Sequence, residues 1–132
     1  MIEPRYIQPL ELRGVWHLIR PGLDKIKEKS TEPWIPEDVY ADCFEQRSML
    51  WMFFKANRPV GFVVMQPAGD VLHIWCAYAM EDGCLEEAWQ HVQSIAKQGN
   101  ATALTFDSNR VGWNKMAKKL GFRPRKWVKE LT

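Results

Sequence analysis

A few side chains in this sequence are of types and spacings that could do chemistry. His73 stands inside the apolar run Val71–Ala79 (VLHIWCAYA). An imidazole titrates near neutrality, so it could serve as a general base. No nearby residue supplies a catalytic partner by spacing, which favours a half-buried histidine hydrogen-bonded to a neighbour. Asn109 and Arg110 fall at an expected strand-to-helix corner, a place where α/β proteins often contact ligands. Asn109 is also a good N-cap, and capping is the favoured role. The thiols Cys43, Cys76 and Cys84 form no CxxC and no Cys/His ligand spacing, so no metal is expected. Cys84 lies among acids, the wrong setting for a nucleophilic thiolate. Residues 115–129 (KMAKKLGFRPRKWVK) hold seven basic side chains with Phe122 and Trp127. Basic and aromatic interleaving can bind nucleic acid or an acidic protein, through Arg123, Arg125, Lys126 and Trp127. A charged edge strand guarded against pairing is the favoured alternative. Trp34, between Pro33 and Pro36, is expected to stand exposed on a rigid connection and to anchor a protein partner.

These residues need elements to hold them. A helix is expected from Pro9, with Leu12, Val15, Trp16 and Ile19 on one face, interrupted at Pro21–Gly22. A second runs from Pro36 to about Arg47, with Val39, Tyr40, Cys43 and Phe44 inward. Met49–Lys55 and Val60–Gln66 read as strands of a hairpin turning at Ala56-Asn57-Arg58-Pro59. Val71–Ala79, apolar on nearly every residue, reads as a central strand covered on both faces. Cys84–Lys97 is an amphipathic helix, Ala101–Asp107 a strand, Val111–Leu120 a helix, and Phe122–Leu131 a final strand. A short first strand is expected at Arg5–Gln8. Helices between strands in the second half imply a βαβ unit, hence one α/β (α+β) domain over 1–132, a mixed sheet with helices on both faces.

Composition bounds the rest. The chain has 132 residues, 46% hydrophobic and 12% aromatic with seven Trp, which excludes a disordered chain. No apolar run approaches the roughly 20 residues of a spanning helix, and the first residues lack the apolar stretch of a secretory signal. With free thiols, this points to the cytoplasm and no membrane. The net charge of +2 divides unevenly, 9 basic against 14 acidic over residues 1–96, then 9 against 2 over 97–132. The basic end suits an anionic partner.

The order of elements resembles the GNAT superfamily of acyl-CoA-dependent N-acyltransferases. The most specific match is TFDSNRVGWNKMAKKLGF, similar to that family's strand–Asn–helix–Gly-Phe segment. The resemblance implies a GNAT-like fold and acetyl-CoA as donor if the protein is active. Trp75, Cys76, Ala77, Gly83 and Asn109 would then hold the cofactor, with His73 as the candidate base toward an amine and Tyr78 as a substitute acid for the leaving thiolate, though a core ring is the favoured reading of Tyr78. Two features depart from the family. Met80-Glu81-Asp82-Gly83-Cys84 replaces the Gln/Arg-x-x-Gly-x-Gly/Ala loop that offers backbone N–H groups to a pyrophosphate. Ala117 stands where many members place a Tyr. Glu81 and Asp82, followed by Glu86 and Glu87, would repel phosphate, so no cofactor is the expectation. EPWIPEDVYADC, VLHIWCAYA and FDSNRVGW resemble small GNAT-like proteins of tailed bacteriophages. That narrower resemblance implies a virion or head-assembly role by protein binding, in the host cytoplasm or packaged in the virion. The alternatives are an acetyl-CoA-dependent N-acetyltransferase with an atypical loop and, third, a nucleic-acid-binding accessory protein.

Overall fold

A computed structural model describes residues 1–107, 113–124, 129 and 131, with the backbone alone at 113 and 114. The chain begins with β1 (Glu3–Ile7), a 3-10 turn at Pro9–Glu11 and α1 (Leu12–Glu28). Next come α2 (Pro36–Phe44), β2 (Met49–Lys55), β3 (Arg58–Ala68) and β4 (Val71–Ala79). The order closes with α3 (Leu85–Gln98), β5 (Ala103–Phe106) and α4 (Trp113–Lys119). The strands form one sheet in sequence order, antiparallel from β1 to β4 and parallel between β4 and β5. The parallel pair is joined through α3, which is the expected βαβ unit.

The sheet is covered on both faces. Met52, Phe54, Phe62, Val64 and Cys76 pack with Leu12, Ile19 and Leu23 of α1 and Val39 of α2. Phe53, Val63, Met65 and Leu72, which alternate with them, pack with Val92 and Ala96 of α3. Each large apolar side chain so buried contributes roughly 1.5–3 kcal/mol against chain entropy. The β2–β3 turn is the two residues Ala56 and Asn57, both left-handed at φ 50° and 65°, with Lys55 opposite Arg58. Such a turn matches strand twist, and so β3 starts at Arg58, earlier than the turn tetrapeptide suggested.

The structure corrects several expected boundaries. α1 continues through Pro21–Gly22 instead of breaking there. Pro21 forfeits one backbone hydrogen bond, but Gly22 lets the helix lie directly on the sheet. A Cβ at Gly22 would stand 2.7 Å from Phe62 Cε2 and 2.8 Å from Tyr78 Cδ2. α2 stops at Phe44, short of Arg47, because Gln46 is left-handed at φ 63° and the Arg47 and Ser48 N–H groups turn back to Asp42 O. Phe122–Pro124 form no strand, and the remainder of the expected final strand lies largely outside the described residues. His91 of α3 pairs its Nε2 with Ile2 O at 3.0 Å, while Glu87 accepts the Ile2 N–H, so α3 holds the start of β1. Among the described residues no helix is long and apolar enough to cross a membrane, and no group of His, Cys, Asp and Glu could hold a metal.

Candidate active site

The sheet opens at β4. In the β3–β4 ladder Val64 faces Cys76 and Met65 faces Ile74, which leaves Trp75 as an extra residue in β4. A bulge of this kind bends its strand and sharpens the twist. The parallel pairing of β4 with β5 ends at the same place, at Ile74 opposite Phe106. Beyond it, Trp75–Ala79 border a cleft of about 570 Å³. Leu85, Ala88 and Trp89 of α3 form one wall, with Met116, Leu120 and Phe122 beside them; Lys29–Glu32, between α1 and α2, lie at another side.

The bulge also changes which side chains face which way. Leu72 and Ile74 belong to the α3 face, yet Trp75, Cys76 and Tyr78 pack on the α1–α2 face. Ala77, opposite Val63, therefore lies on the α3 face, exposed at the cleft. Strict alternation along a strand would put His73, Trp75 and Ala77 on one side. His73 and Trp75 do share a side, but Ala77 does not, because the extra residue inverts the alternation.

His73 pairs its Nδ1 with Thr105 Oγ1 at 2.8 Å, its direct neighbour across the β4–β5 ladder, and it does not line the cleft. This arrangement is the hydrogen-bonded histidine favoured above. Tyr78 lines the cleft and packs at 6.0 Å on Phe62. Trp75 also lines it and meets Trp34 edge-on at 6.1 Å. Trp34 is only 8% exposed, so the expected exposed anchor is instead a core ring under the β4 bulge. Cys76 is 1% exposed, and burial, with smaller contributions from Cys43 and Glu32, pushes its thiol up to about 12. Its side chain is core, and its backbone is what the cleft can use.

Phe122 sits edge-on to Phe106 at 4.7 Å and tilted on Trp89 at 5.1 Å, so it closes the wall rather than offering a free stacking face. Lys115, Lys118 and Arg123 are exposed, with Met116, Ala117 and Leu120 half-buried on the other side of α4. Asn109, Arg125, Lys126 and Trp127 lie outside the described residues.

The loop before α3 has an electrostatic setting that local sequence does not reveal. Gly83 takes a left-handed φ of 81° and α3 begins at Leu85 with no side-chain cap, so its first N–H groups are not used by a capping side chain. Those dipoles favour an anion. Glu81 is held by Arg58 in a two-pronged pair, Nη2–Oε1 2.8 Å and Nε–Oε2 3.0 Å. The hydrogen bond from Arg58 keeps the Glu81 carboxyl below the usual carboxylate range. Glu86 pairs with Lys119 Nζ at 2.9 Å, and Glu87 is engaged by the Ile2 N–H. Of these acids, only the Asp82 carboxylate has no partner among the described residues. Two of the four acids are thus met by cations from other elements, Arg58 and Lys119, and a third by a backbone N–H. Sequence reasoning missed Arg58, which is 23 positions from Glu81.

No protein-family model matches the chain. Over 72 residues it is 31% identical to the membrane protein insertase YidC of Granulibacter bethesdensis. That match covers 54% of this chain and spans only 12% of the length of that curated relative. Similarity to solved structures is broader. An aminoglycoside acetyltransferase from an uncultured soil metagenomic sample, in complex with sisomicin, matches with TM-score 0.71 at 10% identity, over 99% of this chain and 94% of that one. AAC(6')-Iy, in complex with the bisubstrate analogue CoA-S-monomethyl-acetylneamine, gives 0.70 at 14% identity, over 100% and 97%. A ribosomal-protein-alanine N-acetyltransferase from Brucella melitensis biovar Abortus gives 0.69 at 13%, over 100% and 98%. With the bulged β4, the parted β4–β5 pair and α3 rising from the opening, these likenesses show that the chain has the GNAT acetyltransferase fold.

Proposed function

We propose that the protein is an N-acyltransferase that takes its acyl group from acetyl-CoA or a related acyl-CoA. The observation that carries this reading is the cleft opened by the Trp75 bulge, which runs from the start of α3 to the α1–α2 connection. A mostly apolar cleft of this size with a few polar groups suits an acyl-pantetheine arm. The edge of β4 at Trp75–Ala79, unpaired among the described residues, offers backbone groups to the arm's amides, and the start of α3, with no side-chain cap, offers N–H groups to phosphate. One of the similar structures is by name an aminoglycoside acetyltransferase and another holds a bisubstrate analogue of CoA and acetylneamine, in keeping with an amine acceptor. Tyr78 is the hydroxyl-bearing ring on the cleft and takes the place of the acid that Ala117 cannot supply.

The case for a protein that acts by binding alone rested on a repulsive loop. That premise weakens once Glu81, Glu86 and Glu87 are partnered. The virion-assembly alternative came from the narrower resemblance, and Trp34, the anchor expected for a protein partner, is buried. The nucleic-acid alternative depends chiefly on Arg125, Lys126 and Trp127, outside the described residues. Calorimetric titration with acetyl-CoA and with CoA tests the proposal. Micromolar binding of both is expected, and the absence of any heat of binding at millimolar ligand overturns it.

A further inference from the structure

The acceptor side of the cleft is built by the segment between α1 and α2, where Glu32 is presented with unusual fixity for a connection. Its N–H donates to Ser30 Oγ at 3.1 Å, and its carbonyl accepts from Lys27 Nζ. The Lys27 ammonium also lies 5.5 Å from the centre of the Trp34 ring. Both backbone groups of Glu32 are therefore clamped, and Lys27 is turned to its carbonyl and to the Trp34 ring rather than to its carboxylate. The Glu32 carboxylate makes no ion pair among the described residues, whereas Asp24, Glu37, Asp42, Glu45, Glu81 and Glu86 each make one. It lines the cleft together with Ile26, Trp34, Trp75 and Tyr78.

Resting on the acyl-transfer reading, we propose that Glu32 is the carboxylate that receives the acceptor: the ammonium of a primary amine carrying a compact apolar body. An unpaired carboxylate among aromatic walls offers a cation both a charge-assisted hydrogen bond and ring faces. Lys29 lines the same cleft and is exposed, which disfavours a second positive charge on the acceptor and so selects a monoamine over a polyamine. Glu32 takes one proton from the ammonium. The freed amine attacks the acyl carbonyl carbon, a C–N bond forms and the C–S bond breaks; the second proton shed by the nitrogen as the amide forms passes to the departing CoA thiolate, which leaves as the free thiol.

The test compares binding of benzylamine, of its neutral analogue benzyl alcohol and of the diamine cadaverine to the free protein, by ligand-observed NMR. Wild type and Glu32→Gln are used, with thermal melts to show that the variant is folded. Benzylamine is expected to bind the wild type better than cadaverine does. Glu32→Gln is expected to weaken benzylamine by roughly tenfold, the usual scale for losing a charge-assisted hydrogen bond, and to leave benzyl alcohol unchanged. No benzylamine binding to the wild type, equal binding to both proteins, or preference for cadaverine overturns the assignment. Titration of acetyl-CoA into the same two proteins separates the levels. Equal benzylamine binding to the two proteins with acetyl-CoA binding intact refutes Glu32 alone, and absence of acetyl-CoA binding to the wild type refutes acyl transfer itself.

Discussion

Two glycines on one helix give opposite expectations when replaced by alanine. Gly14 and Gly22 both lie in α1. Nothing stands within 4 Å of a Cβ built on Gly14. Gly14→Ala therefore adds only helix propensity, about 0.5–1 kcal/mol, mostly by restricting the unfolded chain. Gly22→Ala gains the same propensity but drives its methyl to 2.7 Å from Phe62 Cε2 and 2.8 Å from Tyr78 Cδ2. Phe62 is 2% exposed and cannot swing aside, so the helix or the sheet must move. Overpacking of this kind costs about 1–3 kcal/mol, which leaves a net loss of roughly 0.5–2 kcal/mol. For a chain of this length 1 kcal/mol corresponds to roughly 3–6 °C, so Gly22→Ala should lower Tm by about 2–10 °C and Gly14→Ala should raise it by about 2–5 °C. Calorimetric or far-ultraviolet melts of the two variants read this directly. Because Tyr78 lines the cleft, Gly22→Ala should also weaken acetyl-CoA. A Gly22→Ala protein as stable as Gly14→Ala would refute the close packing of α1 on β3 and β4.

Ala77→Trp fills the cleft at an exposed position of β4, and acetyl-CoA binding should fall at least tenfold on general affinity grounds while Tm stays near that of wild type. Arg58→Ala releases the Glu81 charge beside the start of α3, so acetyl-CoA affinity should drop several-fold, more at low salt than at high. The double variant Arg58→Ala/Glu81→Gln should recover most of it, and no recovery would mean Glu81 is not the source. Burial pushes the thiols of Cys43 and Cys76 up to about 12 from 9.0. The unfolded chain then releases these protons first, so each thiol leaves stability unchanged below about pH 9 and subtracts roughly 1.4 kcal/mol per pH unit between 9 and 12. Urea melts of wild type and Cys76→Ala across that range should show a shallower alkaline loss in the variant.

Much of the architecture was legible because it is written in local periodicity. β4 runs over Val71–Ala79 as read, and α3 differs from its expected span by a single residue at each end. The site was less legible. In VLHIWCAYA nearly every residue is apolar, so no alternation betrays the bulge at Trp75 or the face reversal that follows it. The acids from Glu81 to Glu87 look repulsive until Arg58, Lys119 and Ile2 arrive from other elements. The two prolines around Trp34 correctly mark an extended connection, but whether its ring faces water depends on Trp75, a contact that spacing cannot supply. Pro21 misled for the same reason: the cost of a proline in a helix is local, and the packing that outweighs it is not.

The hold of α3 on the start of β1 has a consequence in time. Ile2 meets Glu87 and His91 across 85 and 89 positions of chain. On a ribosome adding about 5–20 residues per second, its carboxylate partner is made roughly 4–17 s after Ile2 itself. β1 can therefore pair with β2 well before Ile2 finds its partners, and until α3 emerges the apolar side chain of Ile2 lacks part of the cluster that buries it.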